Sequence, residues 1–205
     1  VLLYHHVDED TPAITSIAPD QFNRHLDIIE AEGFTVLPLD ELVKRSMATS
    51  NGSEKSDEKI VAITFDDAYR SIYTTAFPNL QARSWPFTIF VATNLIEAKN
   101  PHYLTWAQLT EMSMHGATIA NHTSSHTHMI RRLETETTDQ WKGRMTKELL
   151  TAKRLLVKHG LDSNLFAYPY GEYDEETLNL VADLKMIGFG QQSGAIGPHS
   201  NPLLL

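Results

Sequence analysis

Short apolar runs alternate with amphipathic stretches along the chain, and this alternation narrows the possible folds more than any other feature. Strands are predicted for seven runs: VLLY 1–4, FTVLPL 34–39, KIVAITF 59–65, FTIFVAT 87–93, ATIAN 117–121, LFAYPY 165–170 and IGFGQ 187–191. Helices are predicted between them, over 19–32, from Asp40, over 69–82, after Thr105, over 136–159 and from Asp174. About seven strand and helix pairs favour an α/β fold with a closed or nearly closed parallel barrel.

The composition is typical of one domain that spans residues 1–205. With 205 residues and 41% hydrophobic content, the chain can bury one substantial core but not two full domains. Residues 46–58, SMATSNGSEKSDE, are polar and lack periodicity, so an exposed loop is predicted there. The chain starts inside the apolar run VLLYHH and stops on PLLL, so we expect it to be a fragment of a longer chain.

Charge and residue content exclude several classes of protein. The formal net charge of -9 argues against nucleic acid as a partner, because phosphate binding needs clustered Lys and Arg. The absence of cysteine excludes disulfides, thiolate metal sites and cysteine nucleophiles. No segment approaches the roughly 20 consecutive apolar residues that a membrane-spanning helix needs, so no transmembrane segment is predicted in this chain.

Residues capable of chemistry follow four of the predicted strands. His5 and His6 follow the first strand, Asp66 and Asp67 follow KIVAITF, His122 follows ATIAN, and PYG at 169–171 ends LFAYPY. Function in parallel barrels sits where the strands end. If the strands are parallel neighbours, the four clusters therefore converge on one rim.

For the adjacent carboxylates of TFDD, residues 64–67, we expect a cation or a shared proton nearby, because like charges repel and each is costly to bury. The segment NHTSSHTH supplies candidate ligands, since His122 and His126 are four residues apart and would share a face on a helical turn. Such a pair alone is usually an ordinary surface or capping pair, but the paired aspartates at a neighbouring strand end favour a metal site. One aspartate would bind a divalent metal, zinc by preference, and the other would stay free as a base. His128 does not fit the spacing and is interpreted as a bystander.

TFDD, HTSSH and YPYG, in this order, resemble the first three motifs of the polysaccharide deacetylases, carbohydrate esterase family 4. The resemblance implies a distorted (β/α)7-type barrel, one metal ion held by an Asp and two His, an acetylated sugar polymer as substrate, and an extracytoplasmic location. Carried over by position, it makes Asp66 the general base and Asp67, His122 and His126 the metal ligands. It also makes the backbone amide of Tyr170 the oxyanion donor.

Three departures from the family pattern narrow the resemblance. Ala167 stands where the family often has an arginine that orients the catalytic aspartate, and no tryptophan follows Trp141. The family's final Leu-x-His motif is absent near the C-terminus, but LYH at residues 3–5 has that pattern. The chain therefore resembles a circularly permuted branch, that of the exported poly-β-1,6-N-acetylglucosamine N-deacetylases.

Hydrolysis of an acetamide needs further groups. A metal ion would polarise the acetyl carbonyl and acidify water, and an aspartate would take the proton. An amide nitrogen leaves only when protonated, so a histidine is needed as general acid, for which His5 is chosen over His6. Leu3 would line the pocket for the acetyl methyl, unless it has a plain core role. Trp106 and Tyr173 are candidate sugar contacts, although Trp106 could equally anchor its helix.

Other functions stay open at this point. Peptidoglycan, chitin or xylan could replace poly-β-1,6-N-acetylglucosamine as the substrate. Asp and His clusters on a barrel rim also build metal-dependent phosphoesterases, which usually add a second metal and basic residues. A catalytically weak sugar-binding domain is a third possibility, and zinc could give way to cobalt or nickel in any metal site of this type.

Overall fold

The fold is a curled parallel sheet with helices packed around it. The computed structural model describes residues 1–48 and 58–205. The strands in these ranges are β1 Leu2–Tyr4, β2 His6–Val7, β3 Ser16–Ile17, β4 Thr35–Val36, β5 Ile60–Val61, β6 Ile63–Phe65, β7 Phe87–Val91, β8 Ala117–Asn121, β9 Leu165–Ala167 and β10 Ile187–Phe189. Six of them form the main sheet in the order β1-β6-β7-β8-β9-β10, and every pairing is parallel. Two further parallel pairs, β2 with β3 and β4 with β5, form separate two-stranded sheets.

Seven α-helices connect the strands in the same ranges. They are α1 Pro19–Ala31, α2 Leu39–Ala48, α3 Phe77–Ala82, α4 Thr93–Glu97, α5 Trp106–Met114, α6 Thr138–Lys158 and α7 Glu175–Asp183. A π-helical turn, Ile72–Ala76, precedes α3. Capping boxes at Thr105, Thr137 and Asp174 start α5, α6 and α7, because each side chain accepts a backbone N–H that the first turn leaves unpaired. No helix of the described residues is both long and apolar enough to cross a bilayer.

The sheet curls strongly enough for its inner face to meet itself. Phe90 of β7 and Phe189 of β10 are separated by two strands, which is roughly 14 Å in a flat sheet. Their ring centroids nevertheless lie 5.6 Å apart. Alternate residues of β7, such as Ile89 and Val91, point outward and pack in a second cluster with the surrounding helices. The predicted α/β parallel barrel is therefore confirmed, in a distorted form.

A C-terminal segment, residues 202–205, covers the open edge of β10. Gly188 N donates to Pro202 O over 2.9 Å, and Leu205 N donates back to Gly188 O over 2.9 Å. Gly190 N then donates to Leu205 O over 2.8 Å. Between this segment and β1 lies a cavity of about 290 Å³ that opens at the rim. The edge strands β1 and β10 thus face each other across the cavity without a hydrogen-bonded pairing between them.

Several elements are shorter than predicted, for local reasons. FTVLPL gives only β4, because Pro38 has no N–H for a ladder and its carbonyl accepts from Leu42 N to begin α2. KIVAITF is interrupted at Ala62, where the chain changes partner from β4 to β1. The predicted loop over 46–58 is wrong at its start, since α2 continues to Ala48. Residues 49–57 of that loop lie outside the described residues.

A substitution at Gly188 tests whether residues 202–205 hold the sheet edge. A Cβ at Gly188 would overlap the Leu203 carbonyl oxygen and lie 2.9 Å from the Tyr168 ring, so Gly188→Ala must displace one of them. We expect a loss of about 1–3 kcal/mol in the free energy of unfolding, measured in urea. Gly143→Ala is the control, because nothing lies within 4 Å of its Cβ in α6. It should stabilise by about 0.5–1 kcal/mol. Equal stability of Gly188→Ala and the unmodified chain would contradict this account of the edge.

Candidate metal centre

Strand register places His5 beside Asp66. In the β1 and β6 ladder Tyr4 is paired with Phe65, and Asp66 N donates to Tyr4 O over 2.9 Å. The next residue of each strand therefore lies at the same level of the rim. His5 Nε2 is 4.0 Å from Asp66 Oδ2. Asp66 is only 3% exposed, and its Oδ1 has no hydrogen-bond partner among the described residues.

The three predicted ligands Asp67, His122 and His126 come together at the same rim. Asp67 Oδ1 lies 3.0 Å from His126 Nε2 and 3.4 Å from His122 Nε2. One ligand atom from each residue falls within 4.8 Å of the others. Asp67 Oδ1 is buried, yet neither contact gives it a hydrogen bond of acceptable geometry. Two ring nitrogens and a carboxylate oxygen that converge without pairing fit a divalent cation such as zinc.

A second hydrogen bond fixes the orientation of His122. His122 Nδ1 lies 2.8 Å from the Ala167 carbonyl oxygen, where β8 runs beside β9. An Nδ1–H that donates to this carbonyl leaves Nε2 with its lone pair directed to Asp67. Ligand histidines in proteins are commonly held in this way, which sets both the tautomer and the ring plane. Ala167, which replaces an expected arginine side chain, thus contributes through its backbone.

The segment between the two histidines is a bend and not a helical turn, so that part of the prediction is wrong. Thr123 and His126 have φ values of 65° and 54°, in the left-handed region. Thr123 N donates to Asn121 Oδ1, and His126 N donates to Thr123 Oγ1. These side-chain hydrogen bonds replace the helical ones. The two imidazoles still converge, with ring centroids 4.9 Å apart.

Glu148 holds this bend from outside the rim, and sequence reasoning missed it. Its Oε2 accepts from Ser124 N over 3.1 Å and from Ser125 N over 2.8 Å. The residue lies on α6, 22 positions after His126 and in no recognisable motif. Its charge-assisted hydrogen bonds are stronger than neutral ones, so they resist movement of the two candidate ligands His122 and His126.

Positive φ values concentrate at the site. Asp67 has φ 68°, Ala68 has φ 60° and Tyr170 has φ 62°. Such conformations cost a non-glycine residue on the order of 1–3 kcal/mol and persist only where surrounding contacts impose them. Asp67 faces His122 and His126, whereas Asp66 faces His5, so the two neighbouring carboxylates have different surroundings.

The two aspartates differ in their electrostatics. Burial raises the pKa of Asp66, although nearby His122 and His5 partly offset it. Burial alone would also raise the pKa of Asp67, but the adjacent His122 and His126 outweigh it and hold this pKa well below its usual range. Burial would lower the pKa of His122, yet Asp67 and Asp66 raise it above its ordinary value. Asp67 is therefore the stronger acid of the pair, and Asp66 is the weaker one.

Tyr170 and His128 form one wall of the site. The Tyr170 ring stacks on His128 at 3.8 Å and meets His126 edge-on at 4.5 Å. His128 Nδ1 lies 2.7 Å from Glu172 Oε2, which fixes its ring. His128 lies outside the group of Asp67, His122 and His126, and it packs against Tyr170, which contacts His126. Tyr170 remains 48% exposed, so the wall faces solvent.

An aromatic row forms the opposite wall. His6 stacks on Tyr69 at 3.5 Å, and Tyr69 stacks on Tyr103 at 5.2 Å. Burial and then the charge of Asp67 raise the pKa of Tyr69. Tyr69 and Tyr103 were not singled out as a pair, because no spacing rule connects them. His6 is engaged in this row, whereas His5 is the histidine that faces Asp66.

The three predicted substrate contacts, Leu3, Trp106 and Tyr173, lie in different parts of the structure. Leu3 lines the 290 Å³ cavity together with Asp66. The Trp106 ring stacks on His159 at 4.1 Å, and its Nε1 donates to Glu97 Oε1 over 2.6 Å, so it anchors the start of α5. Tyr173 is half-buried against Tyr168, and its hydroxyl is 3.4 Å from Gln192 Nε2. Of these three, Leu3 is the one placed in a cavity with Asp66.

A comparison with family models and a comparison with curated sequences both find deacetylases. A family model described as polysaccharide deacetylase matches residues 53–188. The Staphylococcus aureus poly-β-1,6-N-acetyl-D-glucosamine N-deacetylase is 26% identical over 193 residues, which are 91% of this chain and 64% of that protein. The chain thus spans less than two thirds of the length of this relative.

Solved structures share the fold over nearly the whole chain. The Streptococcus pyogenes deacetylase PplD, in complex with acetate, is 27% identical with a TM-score of 0.83 and covers 99% of this chain and 88% of its own. IcaB from Ammonifex degensii has the same TM-score, 0.83, at 24% identity, and covers 100% of this chain and 88% of its own. At 24% identity, the similarity to IcaB is evidence of a shared fold alone.

The division between the two aspartates is testable by metal content. Asp67→Asn should lose bound zinc, because it removes the charge that faces both imidazoles. Asp66→Asn should retain about one zinc per chain, since Asp66 lies outside the ligand group. Elemental analysis after dialysis against zinc measures both, with His128→Ala as a control that should keep the metal. Equal loss of zinc in both aspartate variants would mean that the pair shares the ion.

Proposed function

The chain belongs to the polysaccharide deacetylase family, and we propose that it is a metal-dependent hydrolase that removes N-acetyl groups from poly-β-1,6-N-acetylglucosamine. One observation carries the proposal. A buried carboxylate, Asp66, lies between a group able to hold a metal ion, Asp67 with His122 and His126, and a histidine, His5. Metal-assisted hydrolysis of an amide uses a Lewis acid, a base and an acid, and these groups would supply all three.

The choice of polymer rests on a relative's name. The Staphylococcus aureus protein named for poly-β-1,6-N-acetyl-D-glucosamine aligns with 91% of this chain. Peptidoglycan, chitin and xylan remain alternative polymers, because the residues described at the rim do not select a linkage. The extracytoplasmic location that the family resemblance implies also stays a prediction.

Asp66 is suited to act as the general base. A divalent ion, when bound by Asp67, His122 and His126, supplies positive charge that polarises the acetyl carbonyl and lowers the pKa of water towards about 7. Asp66 Oδ1 has no partner among the described residues and is free to accept a proton from the attacking water. Burial raises the pKa of Asp66, which strengthens the carboxylate as a proton acceptor.

His5 and Tyr170 complete the reaction. The imidazole of His5, 4.0 Å from Asp66, would donate a proton to the departing amine. The backbone N–H of Tyr170, at φ 62° in the turn after β9, would donate to the developing oxyanion. Loss of one such donor typically slows catalysis by roughly 100- to 1000-fold. Leu3 would bound the acetyl methyl from the cavity that it shares with Asp66.

Two other classes have less support. Phosphoester hydrolysis on such a rim usually uses two metal ions, whereas one group of potential ligands is found in residues 1–48 and 58–205. A sugar-binding domain without catalysis has no need for a buried aspartate with an unpaired oxygen, and such a group is costly to keep.

Acetate release is the direct test of the proposed function. The protein should release acetate from β-1,6-linked N-acetylglucosamine oligomers faster than from β-1,4-linked ones, measured side by side. Exhaustive chelation should abolish release, and zinc, cobalt or nickel should restore it, because all three accept nitrogen and oxygen donors. Full activity after chelation would contradict the metal centre. Faster release from the β-1,4 oligomers would redirect the proposal to chitin-like polymers.

His5 can be tested through the leaving group. His5→Ala should slow amide hydrolysis by about 100- to 10,000-fold, the range typical of a general acid. Hydrolysis of an activated aryl acetate should change much less, because its leaving group departs without a proton. His6→Ala is the matched control and should affect both substrates less than His5→Ala affects the amide. Equal losses on amide and ester would exclude His5 as the acid.

A further inference from the structure

The base Asp66 needs a partner that fixes the direction of its carboxylate. Oδ2 has His5 at 4.0 Å, which is too long for a hydrogen bond, and Oδ1 has no partner among the described residues. On the next wall of the cavity Ala167 presents only a methyl group. A carboxylate with free rotation would present its basic oxygen poorly, so the groups around it matter.

Gln191 is the amide side chain that the fold brings to Asp66. It follows Gly190 just beyond β10, and it lines the 290 Å³ cavity together with Asp66 and Ala167. The backbone just before Gln191, at Phe189 and Gly190, is hydrogen-bonded on both sides. Tyr168 N donates to Phe189 O over 3.0 Å on one side, and Gly190 N donates to Leu205 O over 2.8 Å on the other.

The Gln191 side chain also lies against the turn that carries Tyr170. Gly171 has φ +65°, and a Cβ built on it would lie 3.0 Å from Gln191 Cβ and 3.1 Å from Cγ. The absence of a side chain at Gly171 therefore makes room for the Gln191 stem. From there the side chain extends into the cavity that Asp66 also lines. Gln191 is exposed at the mouth of the cavity, where a bound substrate would cover it.

We propose that Gln191 is a positioning residue whose side-chain amide orients the carboxylate of Asp66 and ties it to the Tyr170 turn. The inference rests on the proposed function, since it assigns a role in that same site. Gln191 does not touch the reacting atoms. It would keep one oxygen of Asp66 directed towards the attacking water while the Tyr170 N–H faces the carbonyl oxygen.

Gln191→Met tests the proposal, because it keeps the length of the stem and its packing on Gly171 but removes the amide. Misplacement of a catalytic group by about 1 Å can cost on the order of 100-fold, so we expect kcat to fall about 10- to 100-fold with KM changed less than threefold. The loss should be equal for an N-acetylglucosamine oligomer and an aryl acetate, because the base serves both. Metal content and Tm should stay unchanged.

Two further variants separate positioning from packing. In an Asp66→Asn background, Gln191→Met should cause no additional loss, because the group it positions is already disabled. Gln81→Met is the control, since Gln81 is an exposed amide on α3 and does not line this cavity. It should retain activity within about threefold of the unmodified chain. Additive losses in the double variant, or equal losses in both methionine variants, would overturn the proposal.

The outcomes also distinguish this inference from the proposed function. If the unmodified protein cleaves the aryl acetate but not the oligomers, the substrate proposal fails while the ester assay still tests Gln191. If both substrates are cleaved and Gln191→Met retains full kcat on each, the role of Gln191 fails and the proposed function stands.

Discussion

Two adjacent carboxylates at the end of a buried strand are the constraint on which the rest of the site depends. Like charges on neighbouring residues are tolerated only if their surroundings differ, and here they do. Asp67 faces the imidazoles of His122 and His126. Asp66 stays buried beside His5. One carboxylate is thereby suited to a metal ion and the other to accepting a proton.

The parallel strand register sets the positions of these side chains at the rim. Because neighbouring strands run in the same direction, the residues that follow them arrive at the same rim. Asp66 continues the ladder to Tyr4, and His122 N donates to Val91 O over 3.1 Å. The groups are then fixed by hydrogen bonds from further away, such as those that the bend receives from Glu148. Rigid strand ends with supported loops are what a preorganised site requires.

Sequence reasoning could reach the groups that carry local signals. Local sequence patterns indicated candidate catalytic groups at one edge of the sheet. These patterns are the paired aspartates, the spacing of His122 and His126, and the end of the first strand. Sequence reasoning failed where the geometry depends on distant contacts. The histidine bend is not helical, because Asn121 and Thr123 cap it with their side chains. Glu148 and Gln191 lie far along the chain, on elements whose contacts with the rim follow no periodicity.

The central claim is that one metal ion separates the roles of the two aspartates, and anomalous diffraction from zinc-soaked crystals tests it most directly. The account predicts a single peak about 2.0–2.2 Å from one oxygen of Asp67 and from Nε2 of His122 and His126, with both Asp66 oxygens outside that distance. A peak coordinated equally by Asp66 and Asp67, or no peak at these residues, would contradict it.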